Sequence, residues 1–161
     1  MVAVIAHALA VIRRDVFGGT SDPGAVAAAA LFHDASEIFT GDMPTPIKYY
    51  DPEILSAYKR IESEATSKLL ATLPPKMRPA YERLLNAGGG RDAALIKAAD
   101  RLAAYIKCLE EMKAGNDEFR LAAKQSREKL DALSMPEVDY FIEHFIPAFE
   151  LTLDELDFSF E

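Results

Sequence analysis

The sequence predicts an all-α bundle, and three observations carry that prediction. Alanine supplies 26 of the 161 residues, and it is the residue that gives up least on entering a helix. No run of alternating Val, Ile, Thr and aromatic residues is long enough to make a strand. Helix starts and stops are repeatedly marked by Asp-Pro, Pro-Pro and Gly-rich punctuation. At about 150 residues per domain, the length gives one domain, 1–161. Half the residues are hydrophobic and 27% are charged, which excludes a disordered, collagen-like or coiled-coil chain.

Residues 1–12 form a mostly apolar run that is too short to span a bilayer. Arg13 and Arg14 follow the run, whereas an export signal carries its basic residues in front. With no Ser, Thr, Asp or Asn ahead of it, the run reads as the middle of a helix whose last turn welcomes the two cations. The chain is thus expected to start partway through an element.

Asp22-Pro23 caps a predicted helix over residues 24–38, and Asp51-Pro52 caps another over 53–73. Pro74-Pro75 stops the second, and a shorter helix runs to Asn86. Gly88-Gly89-Gly90 is a flexible joint before Asp92 caps a helix to about Lys113. Gly115-Asn116 ends that helix, and a further one covers residues 117–133. Met135-Pro136 opens the last, which reaches about Phe149 with Pro147 bending or ending it, and one short turn follows Thr152. The alanine-rich tract 25–30 permits close helix packing.

The formal charge is −8, from 26 acids and 18 bases. That balance argues against a surface that gathers nucleic acid by counterion release, so no nucleic-acid polymer and no membrane is expected as a partner. An anionic substrate would need a local cation. The single cysteine, Cys108, forms no internal disulfide and reads as a buried helical thiol in a cytoplasmic protein.

Chemistry concentrates in Leu31-Phe32-His33-Asp34-Ala35-Ser36-Glu37-Ile38-Phe39-Thr40-Gly41-Asp42-Met43-Pro44-Thr45-Pro46-Ile47-Lys48. On a helix His33 and Glu37 are four apart and Asp34 and Glu37 three apart, so the three converge on one side. Charge at the end of an apolar alanine helix must be compensated. Imidazole nitrogen and carboxylate oxygen together suit a divalent transition ion such as Mn, Co or Zn, or an iron. The plain alternative is a satisfied core histidine. A second acid, Asp100 in Ile96-Lys97-Ala98-Ala99-Asp100-Arg101-Leu102-Ala103-Ala104-Tyr105, sits where Asp has poor propensity. Its partner is either a metal or one of Lys97, Arg101 and Lys107.

These residues, and above all Thr40-Gly41-Asp42-Met43-Pro44-Thr45-Pro46-Ile47-Lys48-Tyr49, resemble the HD-domain phosphohydrolases, and within them the YfbR-like bacterial 5′-deoxynucleotidases. The likeness extends over nearly the whole chain, through Ala6-His7-Ala8-Leu9-Ala10, Phe17-Gly18-Gly19, Tyr105-Ile106-Lys107-Cys108-Leu109-Glu110-Glu111 and Ala114-Gly115-Asn116-Asp117-Glu118-Phe119. It implies an HD-domain helical bundle that hydrolyses the 5′-phosphate of deoxyribonucleoside monophosphates with one divalent ion, working as a homodimer. It places metal ligands on His33, Asp34 and Asp100. The family's first ligand, in a Glu-His-Ser motif, would fall just upstream of Met1. His7 corresponds to a position nine residues later, about 13 Å along the axis and on the opposite helix face, and reads as structural.

The resemblance also suggests roles around the ion. Glu37 orients the attacking water or relays its proton, and Asp42 contacts the sugar or the leaving oxygen. Lys48 offsets phosphate charge, its alternative being a solvated loop lysine. Pro44, Thr45 and Pro46 form a rigid wall beside the sugar, one that would exclude a 2′-hydroxyl. With the first ligand absent, the chain is expected to bind metal weakly and to be nearly inactive. Two other classes stay open: an HD hydrolase of another nucleotide, such as an alarmone or a cyclic dinucleotide, and a catalytically impaired helical binding module. His144, in an aromatic helix, reads as packing or a subunit contact.

Overall fold

The computed structural model describes residues 1–86, 90, 92–152, 154 and 155, with the side chain of Thr45 excepted. The elements run α1 (Val2–Val11), a π-helical turn (Ile12–Val16), α2 (Pro23–Ala30), α3 (Glu37–Thr40), α4 (Thr45–Lys48), α5 (Pro52–Thr72) and α6 (Arg78–Leu85). They continue with α7 (Ala93–Lys113), a 3₁₀ turn (Asp117–Phe119), α8 (Arg120–Asp131) and α9 (Pro136–Glu150). Among the described residues there is no strand, as the alanine content predicts. No helix of the described residues is long and apolar enough to cross a membrane.

The chain divides into two compact units, one made of Met1–Ala27 with Ala94–Glu161 and the other of Ala28–Ala93. In the first, α9 packs on α1 and on the π-helical turn. Its interior holds Leu9, Leu95, Leu102, Ile106, Leu130 and Val138, all essentially inaccessible. Cys108 is buried on α7, as expected of a helical thiol. Arg13, on the π-helical turn, donates to the carboxylate of Glu137, which is buried on α9. In the second unit α5 is the spine, with α3, α4 and α6 packed against it. Phe32 meets Tyr81 edge to face, with ring centroids 5.7 Å apart.

Most predicted helix starts are present. Asp22 Oδ1 accepts from the amides of Gly24 and Ala25 at 2.9 and 3.2 Å, and Asp51 Oδ1 accepts from Glu53 at 2.6 Å. The last helix, α9, runs to Glu150, close to the predicted end at about Phe149, with Pro147 inside its last turn. One boundary differs. The single helix predicted over residues 24–38 stops at Ala30, and residues 31–36 form a run of turns. These turns close at three residues: Phe32 N bonds Ala29 O, Ala35 N bonds Phe32 O, and Glu37 N bonds Asp34 O, at 3.1, 3.1 and 2.9 Å. Side-chain competition gives the reason. The His33 ring nitrogen Nδ1 lies 2.9 Å from Ala30 O, the carbonyl that an α-helix would offer to the amide of residue 34.

Of the predicted Gly88-Gly89-Gly90 joint, residues 88 and 89 lie outside the described residues. Of the short helical turn predicted after Thr152, residues 152, 154 and 155 are described, with Glu155 Oε2 accepting from Thr152 N at 2.7 Å; residue 153 and the chain from residue 156 lie outside the described residues.

Candidate active site

The second unit brings together most of the residues singled out by sequence. His33 and Asp34 sit on the turn after α2, Glu37 opens α3, Asp42 follows α3, and Lys48 closes α4. Glu37 lies one three-residue turn beyond Asp34, its amide bonding Asp34 O at 2.9 Å, and the charges of both Asp34 and His33 act on its carboxyl. Pro44 and Pro46 are exposed, and the side chain of Thr45 lies outside the described residues. Asp100 belongs to the first unit, exposed on α7 between the buried Ala99 and Leu102. Lys107, one of its possible ion-pair partners, is bonded to Glu111 at 2.8 Å.

The His33 ring meets an oxygen at both nitrogens. Nδ1 faces Ala30 O at 2.9 Å and Nε2 faces Asp34 Oδ2 at 2.8 Å. A carbonyl accepts only, so Nδ1 carries a hydrogen and donates to it. That leaves Nε2 2.8 Å from a carboxylate oxygen, a contact made favourable by a shared proton, which a divalent ion bound by the two groups would replace. A metal-ligating histidine characteristically donates its other N–H to a backbone carbonyl or a carboxylate, so this donor pair fits a divalent ion. Among the described residues no group of three His, Cys, Asp or Glu side chains gathers as a ready metal cluster. What the second unit offers is the pair.

Charge around the pair is mostly negative. Burial, with the carboxylates of Asp34 and Asp42 nearby, holds Glu37 above the usual carboxylate range, opposed by Lys48 and His33. Lys48 is only partly exposed and is paired. Its Nζ lies 3.0 Å from Glu62 Oε1 and 4.6 Å from the centroid of the Tyr58 ring. Burial pulls the Lys48 ammonium down, but the bond and charge of Glu62 more than offset this and leave it above the ordinary lysine value.

Tyr58 and Glu62 were not candidates from sequence. Both lie on α5, remote in sequence from the HD pair, and nothing local marks them. The available signal was spacing: Tyr58, Glu62 and Ala65 are four and three residues apart on one helix face, and Tyr58 and Ala65 are its buried residues. His7 and His144 are exposed. The His144 ring lies 4.1 Å from that of Tyr140, tilted by 52°, within the first unit.

The helical architecture and the adjacent His-Asp pair define an HD-domain phosphohydrolase. A crystal structure of such an enzyme from Listeria innocua superposes with a TM-score of 0.75 at 25% identity, covering 92% of this chain and 72% of that one. Residues 1–149 match the family described as 5′-deoxynucleotidase YfbR-like. This chain is 47% identical over 157 residues to a 5′-deoxynucleotidase of Vibrio parahaemolyticus, covering 96% of this chain and 81% of that protein. It is 45% identical over 157 residues to the 5′-deoxynucleotidase YfbR of Escherichia coli, with 96% and 79% covered. The chain belongs to the YfbR-like 5′-deoxynucleotidase family.

Proposed function

We propose that this protein is a divalent-metal-dependent phosphohydrolase that removes the 5′-phosphate from deoxyribonucleoside 5′-monophosphates. The observation that carries the reading is the His33–Asp34 pair, where an imidazole nitrogen and a carboxylate oxygen converge with the opposite ring nitrogen already bonded to the backbone. Its residues would hold the ion through His33 Nε2 and Asp34, with Asp100 entering as the family's distant aspartate. When bound, one ion of the Mn, Co or Zn type supplies positive charge to the phosphate and acidifies the attacking water.

The chain's own groups account for the rest. Glu37, held above the usual carboxylate range, is suited to accept a proton from the water and hand it on. Asp42, one peptide beyond the turn at Gly41, contacts the sugar or the leaving oxygen. Lys48 offsets phosphate charge, its reach limited by the bond to Glu62. Pro44, Thr45 and Pro46 make a stiff wall beside C2′ of the sugar, so a ribonucleotide fits less well. A homodimer is proposed on the family likeness. A cytoplasmic location accords with the one buried cysteine.

Phosphate release tests the proposal. In a chain that carries the complete site, deoxyribonucleoside 5′-monophosphates should turn over with Co or Mn present, and ribonucleotides and 3′-monophosphates much less, with little dependence on the base. Asp100→Asn should abolish the metal-dependent rate and leave the helical circular dichroism unchanged. Equal turnover of ribo and deoxyribo substrates would reject the sugar wall. Turnover confined to an alarmone or a cyclic dinucleotide would assign the site to a different HD hydrolase.

A further inference from the structure

The second unit contains a bond whose consequence falls on the substrate side of the site. Tyr58, buried on α5, donates its hydroxyl to Gly41 O at 3.0 Å. The same carbonyl lies 3.0 Å from Thr40 Oγ1, and the two hydroxyl oxygens are 3.4 Å apart. Gly41 has φ +67°, a conformation natural to glycine and strained for other residues. Its carbonyl belongs to the peptide that joins it to Asp42. Fixing that oxygen therefore fixes the peptide plane from which the Asp42 side chain departs. The ring beneath the hydroxyl is in turn held by the Lys48 ammonium 4.6 Å from its centroid.

We propose that Tyr58 is a positioning residue for Asp42, setting the Gly41–Asp42 peptide through its hydroxyl so that the Asp42 carboxylate meets the nucleotide in one orientation. This rests on the substrate role proposed for Asp42, and no sequence motif assigns it. The ring packs and carries the cation contact, while the hydroxyl, beside that of Thr40, holds the peptide. Phenylalanine separates the two.

Tyr58→Phe should lower kcat for a deoxyribonucleoside 5′-monophosphate about 3- to 10-fold, the range of one neutral hydrogen bond, with little change in KM. In an Asp42→Asn background the same substitution should change kcat less than about 2-fold, because the group it orients is gone. An equal loss in both backgrounds would overturn the proposal. A second readout does not need activity: hydrogen–deuterium exchange over residues 39–44 should quicken in Tyr58→Phe while α5 and α6 keep their protection. Unchanged exchange there would also overturn it. A chain with the complete site that is inactive on every deoxynucleotide would defeat the proposed function, and the exchange result would still decide the role of Tyr58.

Discussion

Lys48 Nζ is bonded to Glu62 Oε1 at 3.0 Å, so the lysine proposed to offset substrate phosphate already has an anionic partner. Both side chains are about a quarter exposed, and the pair is best read as a charge held in position between two demands. A phosphate entering near Lys48 competes with Glu62 for the ammonium.

Removing the competitor should therefore tighten substrate binding. Glu62→Gln keeps the shape and a weaker bond, and should lower KM for a deoxynucleotide about 2- to 5-fold, within the range expected of a partly exposed ion pair. Lys48→Met should raise KM. Steady-state kinetics at low salt checks both, and a KM indifferent to either change would remove Lys48 from the substrate site.

Glu37 makes a pH-dependent prediction. A carboxyl whose folded pKa is raised favours the folded state fully below the ordinary carboxylate range and loses that contribution as pH rises through the raised value. At pH 7 the ionised Glu37 is therefore a cost to the metal-free fold. Glu37→Gln should raise the melting temperature of metal-free protein at pH 7, and the gain should vanish below about pH 4, where both side chains are neutral. Melting curves across that interval check it. An advantage that persists unchanged in acid would show that the effect is not electrostatic.

Arg13 and Glu137 make a stability prediction in the first unit. Glu137 is 3% exposed and is bonded by the Arg13 guanidinium. Arg13→Ala leaves a buried carboxylate without that bond and should cost about 2–4 kcal/mol, below the full cost for a deeply buried pair because the Arg13 side chain is partly exposed. The double variant Arg13→Met, Glu137→Leu should recover much of the loss. Urea unfolding of the three proteins measures this directly, and a double variant as weak as the single would contradict it.

The fold class, most helix starts and the HD pair were legible because each depends on local signals. Asp22 and Asp51 cap through their own side chains, and the alanine-rich α2 has little else to form. The break at residue 31 was not legible. It depends on the imidazole of His33 competing for Ala30 O, and helical periodicity carries no sign of such competition. Tyr58 and Glu62 escaped notice for a different reason. Their roles come from α5 packing on α3 and α4, a contact between segments that only folding brings together. Lys48 was legible as a cation, but its pairing was not, because the partner lies 14 residues away on another helix.

The central claim is that His33 and Asp34 hold a divalent ion between them. Calorimetric titration of metal-free protein with Zn or Co, repeated in buffers of different ionisation enthalpy, reads affinity and proton release together. The account predicts one ion bound with a proton released as His33 Nε2 gives up its hydrogen, and affinity at least about 10-fold weaker in both His33→Ala and Asp34→Asn. Binding that is undiminished in Asp34→Asn, or uptake of metal with neither residue affecting it, would contradict the account.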